Sequence, residues 1–134
     1  MTVRLFVMWI VISGLWPTLA MAQVVTVLNP TTVEFSASAD HDTLVDTYEL
    51  QLFAMAADGS VAAAPESTTS LGKPPLDNQG KVIAKPALLL GIPIGRKFVA
   101  RVAAQGPTGA GVSVPSNPFE RRGTPASPGP PTIR

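Results

Sequence analysis

Val33-Glu34-Phe35-Ser36-Ala37-Ser38-Ala39-Asp40 alternates apolar and polar residues without a break. Successive side chains of a strand point to opposite faces. The stretch therefore reads as a β-strand with Val33, Phe35, Ala37 and Ala39 toward a core and the residues between them toward water. The same period recurs downstream. Between Val45 and Met55, Tyr48, Leu50, Leu52 and Ala54 line one face. Thr47, Glu49 and Gln51 line the other, which turns apolar at Phe53 and Met55. From Lys97 to Gln105, Phe98, Ala100, Val102 and Ala104 share a side, with Lys97 and Arg101 opposite. Gly106-Pro107-Thr108-Gly109 is a turn by composition, and Gly111 to Ser116 reads as the returning strand. Val24 to Leu28, Ser67 to Leu71 and Lys81 to Leu89 are shorter candidates, and Pro86 places the last at an edge or a bulge.

Helical periodicity is nearly absent beyond residue 22, where 13 of the 14 prolines lie. The expected fold class is all-β: an antiparallel β-sandwich of about seven strands, preceded by a signal-peptide helix. Residues 72–80 read as a loop. Residues 123–134 hold four prolines, two glycines and few apolar residues, the composition of a disordered, partly polyproline-like tail.

Residues 1–22 carry the three parts of a cleavable export signal. Arg4 gives the positive start, Leu5 to Leu15 the apolar run, and Ala20-Met21-Ala22 the small residues a peptidase accepts. The competing reading is an uncleaved anchor, but a spanning helix wants about 20 apolar residues and this run has about half of that before Pro17. No stable membrane span is expected once the signal is cut after Ala22. The organisation is then signal 1–22, one domain over 23–122 and the tail 123–134. Such a domain buries about two-thirds of its unfolded surface. It does so without disulfides, because the chain has no cysteine. That absence points to a bacterial periplasmic or extracellular protein.

Setting Arg4 aside leaves nine basic residues against nine acidic ones, so no net charge draws the domain to nucleic acid. The two signs are segregated. From Val24 to Glu66 there are seven acids and no Lys or Arg; the nine bases all follow. Attraction across paired strands accounts for this, and two surfaces of opposite sign is the alternative.

Ile92-Pro93-Ile94-Gly95-Arg96-Lys97-Phe98-Val99-Ala100-Arg101-Val102-Ala103-Ala104 resembles the fibronectin type III segment that joins strands E and F. Gly109-Ala110-Gly111-Val112-Ser113-Val114-Pro115-Ser116 resembles that family's strand G, and Tyr48-Glu49-Leu50-Gln51-Leu52 its strand C. The resemblance covers most of residues 24–119. It implies a fibronectin-III-like or immunoglobulin-like sandwich used for recognition or spacing. Phe35 stands where the family carries a core Trp, and Phe98 stands where it carries a Tyr.

Few residues offer chemistry. Asp40, His41, Asp42 and Asp46 cluster in one inter-strand segment. Carboxylates suit Ca²⁺, but the EF-hand Gly and terminal Glu are missing, and a solvated turn explains the same residues. His41 is the only histidine, so a multi-His zinc site cannot form, and there is no Gly-x-Ser-x-Gly elbow. No cofactor is expected. Phe53 and Met55 are either covered by residues 59–71 or an exposed apolar patch for a partner. Arg96, Lys97, Arg101, Arg121 and Arg122 are either ordinary surface charge or a stripe for an acidic partner. Both tryptophans, Trp9 and Trp16, fall in the signal, so the domain lacks the usual stacking platform for sugars. The expected role is non-enzymatic binding or assembly at the cell envelope, with another envelope or extracellular protein as partner. A polysaccharide-binding accessory domain and a small hydrolase using His41 are the alternatives.

Overall fold

The computed structural model describes residues 25–134. The expected signal peptide, its cleavage after Ala22 and the first residue of the Val24–Leu28 strand lie outside the described residues. The described chain is all-β apart from one 3-10 turn, Ala87–Gly91. Its strands are β1 (Val27–Leu28), β2 (Val33–Ser36), β3 (Thr47–Met55), β4 (Ser67–Gly72), β5 (Lys81–Ala84), β6 (Lys97–Gly106), β7 (Gly109–Val112) and β8 (Phe119–Glu120).

The larger sheet runs β1-β8-β6-β3-β4, and β7 also pairs with β6. Its spine is the β3–β6 ladder, antiparallel from Thr47↔Gln105 to Met55↔Lys97. Both strands alternate as the sequence demands: Tyr48, Leu50, Leu52, Phe98 and Ala100 are all buried on one face. The smaller sheet is β2 and β5 alone, with Val33 opposite Ala84 and Ser36 opposite Lys81. Side chains of both sheets meet in two apolar clusters. One gathers Leu50, Leu52, Leu89, Ile92, Phe98, Ala100 and Phe119. The other gathers Val45, Tyr48 and Val82, with Phe35 and Val102 against it.

The Val24–Leu28 candidate is a strand only over Val27–Leu28 and pairs parallel to β8, not antiparallel, and three later strands differ more from expectation at their ends. The first stops at Ser36 instead of reaching Asp40, because the chain leaves extension to wrap around the Asp40 carbonyl. That oxygen accepts N–H bonds from Thr43, Leu44 and Val45. The Lys81–Leu89 candidate splits: Pro86 cannot donate to a ladder, and the Leu89 N–H instead bonds the Pro86 carbonyl at 3.2 Å to open the 3-10 turn. The returning strand is Gly109–Val112. Ser113 and Ser116 then hold the chain beside β6 through bonds to Val102 and Ala100, until β8 resumes pairing. Gly95, at φ +81°, makes the tight turn into β6, a conformation that costs glycine little. Residues 123–134 are exposed and carry no regular structure.

Candidate functional site

The segment from Ser38 to Tyr48 gathers the residues with the most chemistry. The His41 N–H bonds the Ser38 carbonyl at 3.0 Å, and the Asp46 N–H bonds the Gln105 carbonyl at 2.8 Å. This wrapping turns His41 inward, where only 8% of it is exposed. Its ring stacks on Tyr48 at 5.7 Å, and Nδ1 lies 2.8 Å from the Tyr48 hydroxyl. The Ser38 N–H donates to that same hydroxyl at 3.2 Å. The hydroxyl is thus shared between the Ser38 N–H and His41 Nδ1. Phe35 closes the pair edge-on, 5.1 Å from Tyr48. His41 is thus a buried partner of Tyr48, and its Nδ1 is already committed to a hydrogen bond.

Asp40, Asp42 and Asp46 stay on the exposed side of the same turn. They do not converge: among the described residues no three His, Asp or Glu side chains gather closely enough to share a metal ion. The Asp40 and Asp46 backbone groups, by contrast, are hydrogen-bonded, as a turn requires.

Phe53 and Met55 do not form an open patch. Phe53 is 7% exposed, and the Arg101 guanidinium lies 5.4 Å above its ring. Residues 56–66 fold back along β3, with Val61 bridged to Met55. The Ala62 and Glu66 N–H groups bond the Ala54 and Leu52 carbonyls at 2.9 and 2.8 Å. The Arg101 guanidinium thus lies over Phe53, Val99 beside it is buried as well, and Met55 is half-buried.

The basic residues are also partly spoken for. Arg96 pairs with Glu66 at 2.8 Å and Arg122 with Glu120 at 2.6 Å, while Lys81 meets Glu34 at 2.7 Å. Two of these three pairs join the acidic first half of the chain to the basic second half, as attraction across strands requires. The Lys81–Glu34 and Arg96–Glu66 pairs are exposed and screened by water, so they add little to stability, while Glu120 is the one buried partner. The pairing raises the Lys81 pKa, chiefly through its hydrogen bond to Glu34.

Sequence reasoning missed a groove on one side of the molecule, between β2 and the stretch from β7 to β8. Phe35 and Ser36 form one wall, Gly111 to Ser113 the other, and Tyr48, Val102 and Ala104 the floor, around a volume of about 270 Å³. A neighbouring hollow of about 310 Å³ continues it past Ser38, Leu44 and Gly109. The one available signal was the glycine run Gly109-Ala110-Gly111, too small to fill the space beside Tyr48. Comparison with family models, with curated proteins and with solved structures finds no match for this chain.

Proposed function

We propose that the chain is an exported, non-enzymatic binding or assembly module of the cell envelope, built as a fibronectin-III-like β-sandwich. The observation that carries this reading is the strand order. A sheet ordered β1-β8-β6-β3-β4 and a β2-β5 pair share their apolar side chains, the arrangement expected when strands B and E cover the C, F and G strands of such a sandwich. The long β3–β6 ladder corresponds to strands C and F, where the resemblance in sequence is concentrated. A fold of this kind serves many recognition tasks, so the function rests on its surfaces.

The placement of His41 weighs in the same direction. A hydrolase using His41 needs that ring beside a nucleophile within hydrogen-bond reach; its Nδ1 instead meets a tyrosine hydroxyl in the core.

The test expresses the full chain with its leader in a bacterium and recovers the envelope fraction. Mass spectrometry is expected to find a protein starting at Gln23, and crosslinking to find a saturable protein partner. Hydrolysis of an ester, peptide or glycan substrate that disappears in His41→Ala would overturn the reading.

A further inference from the structure

The larger sheet has an edge that is covered along only part of its length. Beside β8 lies β1, parallel to it, with Val27 opposite Phe119 and Leu28 opposite Glu120. Beside β7, no strand other than β6 pairs among the described residues. The Ser113 N–H bonds the Val102 carbonyl. Because bonding alternates along an antiparallel pair, Gly109 and Gly111 spend their backbone groups on β6, while Ala110 and Val112 turn theirs outward. Across the groove, the Ala37 N–H bonds the Gly80 carbonyl. By the same alternation Glu34 and Ser36 turn their backbone groups away from β5. Two rows of unspent donors and acceptors therefore border one groove.

The β7 wall of that groove is bare for a reason of sequence. Gly111 stands opposite Ala104 on the inner face, and a Cβ built on Gly111 meets no atom within 4 Å. Glycine inside a strand marks places where another backbone comes close. None of the residues lining the groove at Gly111 is charged, so nothing there would neutralise a buried charge.

The direction of approach is set by β1. Being parallel to β8, it comes from the β7 side, and the Val25 carbonyl still accepts a hydrogen bond from Asn117 Nδ2 at 3.4 Å. The free edge of β7 thus lies in line with β1, upstream of it. If the leader is removed after Ala22, only Gln23 and Val24 precede Val25, too few to run from Asn117 back to Val112. We infer that the free edge of β7 is a strand-addition site for an extended segment of another protein. That segment runs parallel to β7 and β8 in line with β1, with small apolar residues facing Gly111 and Ala104 and polar residues between them. Main-chain bonds supply the affinity in such a mode, and the side-chain alternation supplies the specificity. This deepens the binding-module reading and rests on it.

The test uses residues 23–134 and, as probe, a synthetic peptide Ser-Val-Thr-Val-Ser-Val-Thr with blocked ends. Saturating peptide is expected to slow amide exchange at Ala110 and Val112 at least tenfold and to leave the Gly111 amide, already bonded to β6, unchanged. Gly111→Val puts a side chain into open space and is expected to weaken peptide binding at least tenfold. Ala110→Pro removes one outward donor without touching the β6 ladder and serves as the second variant. Equal exchange with and without peptide would overturn the proposal, as would full-strength binding to both variants. Protection that appears without peptide and rises with protein concentration assigns the edge to a second copy, and overturns it too. An envelope partner captured equally by wild type and Gly111→Val overturns the edge while leaving the binding-module reading in place.

Discussion

Around Phe98 the core is closed by six other buried apolar residues, including Phe119 stacked at 6.3 Å from it. Around Tyr48 only Val45 and Val82 are comparably buried, and hydrogen bonds to His41 and Ser38 complete the packing. The two ends therefore rely on different forces. Apolar volume is non-directional and tolerates irregular chain, which is why a 3-10 turn and a two-residue strand suffice near Phe98. The Tyr48 end depends on donor and acceptor geometry, and it is also the end where, among the described residues, the sheet edge stands open. A site that accepts a strand needs unspent backbone groups, and it cannot be sealed by side chains without losing them.

Truncating the apolar end should cost most. Phe98→Ala is expected to destabilise the fold by about 3–5 kcal/mol, the usual range for an aromatic removed from a packed core, read by chemical denaturation. A loss under about 1 kcal/mol would mean that the Phe98 cluster does not carry that end. Val82→Ala probes the other end through the small sheet. Val82 is fully buried against Tyr48, and two lost methyl groups at about 0.8 kcal/mol each, with the cavity left behind, give about 2 kcal/mol.

Tyr48→Phe asks whether the hydrogen bonds matter beyond the ring. It leaves His41 Nδ1 and the Ser38 N–H without their partner. An orphaned buried polar group costs about 1–3 kcal/mol, and the variant is expected near the lower half of that range. In the combined variant His41→Leu with Tyr48→Phe, the cost should shrink below the sum of the two single changes. Strict additivity would show the contact to be incidental.

How much of this was legible depends on the range of the interaction. The β3–β6 faces were readable from Tyr48 to Ala54 and from Phe98 to Ala104, because alternation is a property of neighbouring residues. The end of β2 was not, since Ala37 and Ala39 keep the pattern while the chain is already turning around the Asp40 carbonyl. The burial of His41 follows from that turn and has no periodic signature. Phe53 was ambiguous because the group lying over it, the Arg101 guanidinium, comes from the neighbouring strand β6. The β1–β8 pairing joins residues near opposite ends of the chain through two residues each, too short a ladder to leave a pattern. The metal reading of Asp40, Asp42 and Asp46 rested on closeness in sequence; the turn uses the Asp40 and Asp46 backbone groups and leaves the three carboxylates apart.

The smallest effect separates the two ends by pH. The Asp77 carboxylate accepts hydrogen bonds from the Lys81 and Gln79 N–H groups at 2.9 and 2.8 Å. These bonds, the one from Lys81 foremost, hold its carboxyl below the ordinary value of 3.8. A carboxyl lowered on folding adds stability that is present above its unfolded value and is lost as pH falls through the folded one. The turn it closes supplies the Gly80 carbonyl to Ala37, at the Tyr48 end of the small sheet. Acidification below about pH 4 should therefore speed amide exchange at Ala37 and Lys81 first. Amides at Leu50 and Phe98 should be unaffected, since no residue of the Phe98 cluster ionises. Lys81 also pairs with Glu34, so Asp77→Asn is the control: it should remove the acid step at Lys81 if Asp77 is its source. A step that survives in Asp77→Asn and vanishes in Glu34→Gln assigns it to the ion pair. Simultaneous loosening of both ends would show that the core opens as one unit, with no weaker half beside the open edge.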